Sequence, residues 1–449
     1  MSLDRVLDSK DIDRCLNLLN GIYFLPERER LERISEFIQS TLSITPDIYR
    51  PQNLKYLFSY PDPVGIFADF MSNYINSNVH TEECSPIFTH CEVEMVERLL
   101  KLVGYSGGDG IFYPGGSLSN LASVALAAQR SRGKSREPVV LISNHCHYSI
   151  RNAVEICGIQ KTIGIETTVQ GIVDLDSLKR AIETAKTNGL NPIYFCCVLG
   201  ATNLGSFDPV EQIHDIFIEY DVHPWIHFDA AWGGGVYFNP RGDFYREVSA
   251  IADSIVLDFH KFLSAPLLCS VLLVKDKSSL QKTDVSQSAN YLFNNKQDKK
   301  YSLSLKSLQC SREAYAFKLW LMFKYHGISY FQDLIEKFYE NQQEFRRQLC
   351  DRVLYVVEPQ YFNLCVWFIP PEMTMGQSIL DYSIEERKKI DSFNLAMYEK
   401  IATDGFAKFN FSSFNDFPTF IRIIVHHGNL TKEIISEIVS YLYDVYNYP

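Results

Sequence analysis

No stretch of the sequence holds the roughly 20 consecutive apolar residues that a helix needs to cross a bilayer, so a membrane role is not expected. There is no basic excess either: 43 Lys and Arg stand against 54 Asp and Glu, and the formal charge of −11 is spread along the chain rather than gathered in a tail. A nucleic-acid interface needs a basic face, so that partner class is not expected. Low-complexity tracts and internal repeats are missing, which argues against linker-rich and solenoid architectures. Asp4, Arg5, Asp8 and Asp11 interrupt the region where the apolar core of a signal peptide would lie. The eleven cysteines are odd in number and irregular in spacing, and Cys196 and Cys197 fall inside an apolar run. They read as reduced thiols, and the compartment as cytoplasmic.

What is present is ordinary for a globular enzyme: 449 residues, 46% hydrophobic and 22% charged, enough for two or three units around a large core. In the first fifty residues Leu31, Ile34, Phe37 and Ile38 share a stripe at helical spacing, and a second amphipathic helix runs from about Cys91 to Gly104. Beyond it, apolar runs (Val139–Ile142, Tyr194–Val198, Trp225–Phe228) alternate with helical stretches (Ser177–Thr187, Val210–Tyr220). That alternation predicts βαβ units and a mostly parallel sheet. Cys269–Val274 reads as an added strand. A long helix over Tyr330–Arg347, then strands over Asn363–Ile369 and Ile421–Val425, predict a smaller α+β domain.

Four features fall in order along the predicted sheet. Tyr113–Asn120 (YPGGSLSN) runs straight into a helical stretch, so free N–H groups and the positive end of the helix dipole could meet an anion. Taken singly it is equally a plain turn with serine as cap. Asn144-His145-Cys146-His147 follows a strand; zinc would need further ligands and none stands out, so no metal is expected, and a histidine stacked on an aromatic ring is the better functional reading. Asp229 ends a buried strand and needs a cationic partner, such as a pyridinium nitrogen, while the small residues after it, Ala230 and Ala231, would admit a flat ring. Lys261 follows the apolar strand Ser254–Leu257 and is either a snorkelling lysine or one with a lowered pKa that forms a Schiff base. Together the four supply the contacts that pyridoxal 5′-phosphate needs, at the carboxyl edge of the sheet.

The chain resembles the group II pyridoxal-phosphate-dependent amino-acid decarboxylases from about residue 50 onward, and within them the glutamate and cysteine-sulfinate branch. Asp109–Asn120 is similar to that branch's DGIFSPGGAISN, His147–Ile150 to HYSI, Asp229–Gly234 to DAAWGG, Leu308–Arg312 to IQCGR and Phe317–Met322 to FKFWLM. The resemblance implies fold type I of the pyridoxal-phosphate enzymes, an α/β large domain with a mainly parallel seven-stranded sheet plus a small C-terminal α+β domain. It implies residues 1–85 as a helical segment packing on a partner subunit, 86–325 as the cofactor domain and 326–449 as the small domain. Lys261 would hold the cofactor as a Schiff base, His147 would stack on its ring, and Asp229 would keep the ring nitrogen protonated. Gly116, Ser117 and Leu118 would cradle the phosphate, with Thr202, Ala231, Asp258 and His260 completing the cofactor shell.

Ala289–Phe293 looks like the AGYLF of a mobile catalytic loop, about 276–300, whose Tyr291 would act in the neighbouring subunit's site by protonating the carbon that loses CO₂. A homodimer with its active site at the subunit interface is therefore implied. Arg422 matches an arginine that pairs with a substrate carboxylate. Two departures stand out. Asp258-Phe259-His260-Lys261 replaces the more common Asn-Pro-His-Lys, and Lys55 and Tyr56 stand where the glutamate branch has FFNQL, so Tyr56 replaces its substrate-contacting glutamine and Lys55 or Tyr56 would serve the substrate's acid group. The implied reaction is decarboxylation of an acidic amino acid: aspartate, glutamate or cysteine sulfinate. Tyr56, Phe58 and Tyr60 prompt the alternative of an aromatic, aliphatic or basic substrate. Oxidative aldehyde formation, transamination or a non-catalytic scaffold would leave the fold but not the reaction.

Overall fold

The computed structural model describes residues 9–239, 242–280, 299–349, 352–414 and 417–447. Their contacts divide the chain into two compact units. One comprises Leu57–Gln342 with Val356–Leu364, the other Met1–Tyr56, Gln343–Tyr355 and Cys365–Pro449.

The larger unit is built on seven strands: β1 (Asp109–Tyr113), β2 (Pro138–Ser143), β3 (Lys161–Ile165), β4 (Asn191–Val198), β5 (Trp225–Asp229), β6 (Ser254–Asp258) and β7 (Ser270–Val274). They lie in the order β1-β7-β6-β5-β4-β2-β3. From β3 to β6 every pairing is parallel, whereas β7 pairs antiparallel with both β6 and β1. The added strand expected at Cys269–Val274 is thus the one reversed member of the sheet. The connections carry helices Gly116–Arg130, Tyr148–Ile156, Leu175–Thr187 and Val210–Glu219. Covered faces explain why β4, β5, β6 and β7 read as continuous apolar runs, with nearly every residue buried. β3 escapes a periodicity reading because it is an edge strand with an exposed first half.

Because β1, β2, β4, β5 and β6 point the same way, the segments after Tyr113, Ser143, Val198, Asp229 and Asp258 emerge at one edge. That edge is where open α/β sheets place their ligands.

The edge strand β1 is closed by a buried ion pair. Glu92 Oε1 lies 2.6 Å from Arg312 Nη2 and accepts the Phe112 N–H at 2.9 Å. Arg312 donates to Phe112 O at 2.7 Å and to Val79 O at 3.1 Å. The pair therefore satisfies main-chain groups that an edge strand leaves open. Both side chains are almost wholly buried, so removing one strands the other. We expect Glu92→Leu to lower unfolding stability by about 3–5 kcal/mol in urea titrations. Glu92→Leu combined with Arg312→Met should lose much less. Equal losses in the two would contradict this reading.

A second sheet, mostly in the smaller unit, is formed by β8 (Val353–Tyr355), β9 (Asn363–Phe368), β10 (Asn410–Ser412) and β11 (Phe420–Ile424) in the order β10-β11-β9-β8. The helix expected from Tyr330 begins earlier, at Tyr315, and is interrupted at Gly327, where φ is 76° and ψ 169°. That left-handed conformation suits glycine and breaks helical pairing, so the sequence pattern shows only the second arm.

Candidate active site

A cavity of about 270 Å³ opens at the carboxyl edge of the large sheet, near the lower end of small-ligand clefts (about 300 Å³). It is lined by Gly116, Ser117, His147, Thr202, Asp229, Ala231, Asp258, His260 and Lys261, each of them expected from the sequence. Gly115, Asn120, His145, Tyr148, Val198, Gly200, Trp232 and Leu268 also line it. A larger cleft of about 630 Å³ holds Asp69, Arg312 and Lys318. There Lys318 is engaged with Asp69 at 2.7 Å and Arg312 with Glu92, whereas the lysine, carboxylates and imidazoles expected from the sequence gather in the smaller cavity.

Each wall follows from local structure. The Gly116–Arg130 helix opens at Gly115 without a capping side chain, which leaves first-turn amides for an anion. Leu118 is not among the lining residues. Its N–H is spent on Gly115 O at 3.0 Å and its side chain packs on the core. Gly200, at φ 80°, turns the chain after β4, and a Cβ there would sit 2.6 Å from Gly233 Cα. This close approach holds the Thr202 turn against the segment after Asp229.

Asp229 is 7% exposed and accepts from Ala231 N–H at 3.1 Å and from Asn120 Nδ2 at 3.0 Å. His147 caps the helix that follows it: its Nδ1 accepts from Ser149 N–H at 3.3 Å and lies 2.7 Å from Ser149 Oγ. Burial lowers the pKa of His147, with Asp229 opposing, so the imidazole is held towards its neutral form.

The departure at Asp258 has a definite geometry. Its carboxylate is buried, 3.0 Å from Lys261 Nζ and 3.7 Å from His260 Nε2. Burial opposes its ionisation, yet Lys261, His260 and the Ser270 hydroxyl together hold its pKa below the ordinary carboxylate value. It also lies beneath the helix start, where a Cβ on Gly116 would come within 2.7 Å of Oδ2. Asp258 therefore belongs to the cavity as the counter-ion of Lys261. Tyr291 and residues 281–298 of the expected loop lie outside the described residues.

The expected substrate residues come together in the smaller unit. Arg422 in β11 is 5% exposed and donates to Lys55 O at 3.4 Å. Burial lowers its pKa, with the Cys365 thiol opposing. Leu54 is laced to the same sheet region by its N–H to Lys408 O and its carbonyl to Ile424 N–H, both 2.9 Å. Lys55 Nζ stands 5.9 Å from the Tyr56 ring centroid.

Sequence reasoning gave Asn120 no role, although it closes the first motif. Its contacts reach Ser149 in the helix after β2 and His227 and Asp229 in β5, and only the fold brings them together.

Burial shifts several groups that matter in the acidic range. Burial pushes His227 and His145 down to about 4 and lowers His147 and His260 as well. Below the usual histidine value of 6.5 the unfolded chain takes up protons that the folded chain refuses. These histidines therefore contribute stability above pH 6.5 that is lost as the pH falls towards 4. Asp208 works the other way: burial raises it to about 6 against hydrogen bonds from Val198 and Val173, so its contribution grows as the pH falls through 6. Four groups oppose one, and we expect the urea midpoint to drop between pH 6.5 and 4. His227→Gln should flatten that drop; an unchanged slope would contradict it.

A lysine amine, a buried carboxylate, an imidazole and an uncapped helix start around one small cavity fit pyridoxal phosphate, and the fold is type I of the pyridoxal-phosphate enzymes. Residues 25–368 match the model of the pyridoxal-dependent decarboxylase conserved domain. The chain is 30% identical to acidic amino acid decarboxylase GADL1 of Mus musculus, over 90% of this chain and 75% of that one. It is also 30% identical to cysteine sulfinic acid decarboxylase of Homo sapiens, over 95% and 88%. The crystal structure of mouse CSAD superposes with a TM-score of 0.87 at 25% identity, covering 99% of this chain and 93% of that one. The chain belongs to the pyridoxal-dependent decarboxylase family and is a pyridoxal-phosphate-dependent amino-acid decarboxylase.

Proposed function

We propose that the substrate is an acidic amino acid, aspartate, glutamate or cysteine sulfinate, converted to its amine and CO₂. The observation that carries the decarboxylase site is the gathering of Lys261, Asp229, His147 and the uncapped helix start around one cavity. The acidic class is favoured by the motifs shared with the glutamate and cysteine-sulfinate branch, by two relatives named for acidic substrates, and by the buried Arg422 beside Lys55. A guanidinium fork suits a carboxylate or sulfinate.

When bound, pyridoxal phosphate supplies an electron sink for the carbon that loses CO₂. Lys261 Nζ would hold it covalently, after leaving its ion pair with Asp258. Asp229 would keep a proton on the ring nitrogen, and His147 would cover the ring face. Gly116, Ser117 and Leu118 would cradle the phosphate at the helix start, with Thr202, Ala231 and His260 bordering the ring. Tyr291 would return a proton to the carbon, reaching the partner subunit's site from the loop at about 276–300, which would also exclude water. Arg422, with Lys55 and Tyr56, would receive a substrate carboxylate.

We read the enzyme as a cytoplasmic homodimer. Residues 1–85 would pack on the partner, 86–325 bind the cofactor, and 326–449 form the small domain. The stripe on the Glu27–Ile44 helix supports this, with Leu31 62%, Ile34 41% and Ile38 52% exposed in the single chain. The ten cysteines among the described residues are all free thiols, which suits a reducing compartment. No helix among the described residues is long and apolar enough to cross a membrane. Tyr56, in place of the glutamine expected from the glutamate branch, favours a second reading in which the same chemistry acts on an aromatic, aliphatic or basic amino acid.

A panel of amino acids, scored for CO₂ and amine, separates the two. We expect turnover with one or more of the three acidic substrates at least about tenfold above the aromatic and basic ones, the difference one charge-assisted contact supports. Turnover confined to aromatic or basic substrates would overturn the acidic assignment.

A further inference from the structure

The deep end of the cavity is organised by a chain of hydrogen bonds whose two ends allow only one direction. At one end Trp225 Nε1–H, which can only donate, reaches Ser254 Oγ at 2.8 Å. Ser254 Oγ lies 2.8 Å from His227 Nδ1, and His227 Nε2 lies 3.0 Å from Asn120 Oδ1. Asn120 Nδ2 donates to Asp229 Oδ2 and to Ser149 Oγ, each at 3.0 Å. Asp229, as a carboxylate, can only accept. Asn120, Ser149, Trp225, His227 and Ser254 are all at most 4% exposed, so water does not share these contacts.

We infer that Asn120, anchored by His227, Ser254 and Trp225, is a positioning residue that orients the Asp229 carboxylate and locks His147 as its neutral Nε2–H tautomer. The proton inventory leaves little freedom. Asp229 requires the amide nitrogen of Asn120, which turns Oδ1 towards His227 and places a proton on His227 Nε2. His227 Nδ1 is then an acceptor, and the Ser254 hydroxyl, already accepting from Trp225, turns its own hydrogen towards it. Burial, which pushes His227 down to about 4, removes the cationic alternative at neutral pH.

The branch is equally constrained. Ser149 Oγ accepts from Asn120, so its hydrogen is left for His147 Nδ1 at 2.7 Å. Ser149 N–H points at the same nitrogen from 3.3 Å. With two donors aimed at Nδ1, the ring proton sits on Nε2. The imidazole thus keeps one donor for the cavity, and that donor suits an anionic oxygen such as the carboxylate of an amino acid. This last consequence rests on the decarboxylase reading; the tautomers do not.

The test is ¹⁵N NMR of the full chain labelled at histidine, with and without added pyridoxal phosphate. His147→Gln and His227→Gln variants assign the signals. At neutral pH both histidines should be neutral with the proton on Nε2. Asn120→Leu, close in volume and unable to hydrogen-bond, should abolish that preference at His227 and weaken it at His147, where the Ser149 N–H remains. It should also weaken pyridoxal-phosphate binding and lower kcat, each by about 10- to 100-fold as for other buried outer partners of a site, with KM changed much less. Ser149→Ala should shift only His147. His227→Gln, which keeps a donor for Asn120, should retain far more activity than His227→Leu.

A wild-type spectrum with the proton on Nδ1 of either histidine would overturn the inference. So would an Asn120→Leu protein whose tautomers, cofactor affinity and kcat are unchanged. If Asn120→Leu does not fold, Ser149→Ala decides: an unmoved His147 signal is the contrary result. Should the enzyme release no CO₂ from any amino acid, the spectra still judge the relay, so the two failures are distinguishable.

Discussion

Lys261→Ala is expected to show no visible absorbance band after incubation with pyridoxal phosphate and to lose CO₂ release by at least about 10³-fold, because a covalent nucleophile acts as a unit with its partners. The same substitution has a second, separable effect. Asp258 is 2% exposed and 3.0 Å from Lys261 Nζ, so removing the amine leaves a buried carboxylate with only His260 and Ser270 nearby. Stripping one partner from such a pair lowers stability by about 3 kcal/mol. Adding Asp258→Asn should restore the denaturation midpoint and leave activity absent. A Lys261→Ala enzyme with steady turnover would remove Lys261 from the chemistry, whereas an unchanged midpoint would remove only the ion pair.

Asp229→Asn should lower kcat by about 10²–10³-fold, the usual loss when a preorganised charge facing developing charge is neutralised in a water-poor site. The substitution preserves shape, and an asparagine oxygen can still accept from Asn120 Nδ2 or Ala231 N–H, so the melting temperature should move little. The loss would come from weaker retention of the proton on the ring nitrogen. Asp229→Glu keeps the charge on a longer arm and should fall between the two. A kcat within threefold of wild type in Asp229→Asn would exclude the role. A large fall in melting temperature with unchanged kcat would make Asp229 a folding residue only.

Much of the architecture was legible because buried parallel strands leave long apolar runs. Val139–Ile142, Tyr194–Val198 and Trp225–Phe228 were found for that reason and form the heart of the sheet. β3, β8 and β10 were not, being short or half exposed, and β1 was visible only as part of a motif. The antiparallel course of β7 left no mark, since five consecutive buried residues carry no direction.

The site divides in the same way. Lys261, Asp229 and His147 each declared themselves locally, as a reactive side chain at the end of an apolar run. Asn120 did not, because an asparagine three residues after Ser117 is an ordinary helix residue until its partners are known. For Leu118, a motif shows which residues open a helix, not that its N–H also reaches Gly115 O. Arg422 lies 367 positions beyond Lys55 along the chain, and the sequence alone held no reason for it to meet the Lys55 carbonyl.

Short segments suffice to reveal the strand–helix alternation, the reactive lysine and its carboxylate and imidazole companions, because burial periodicity and chemical type are local properties. The tertiary structure alone decided that Asp258 pairs with Lys261, that Glu92 and Arg312 close the β1 edge, and that Asn120 joins Asp229 to His147. The last two depend on a few ångströms between residues far apart in the chain. Asp258 and Lys261 are three positions apart, but their ion pair forms only once the fold has buried the carboxylate and removed the water.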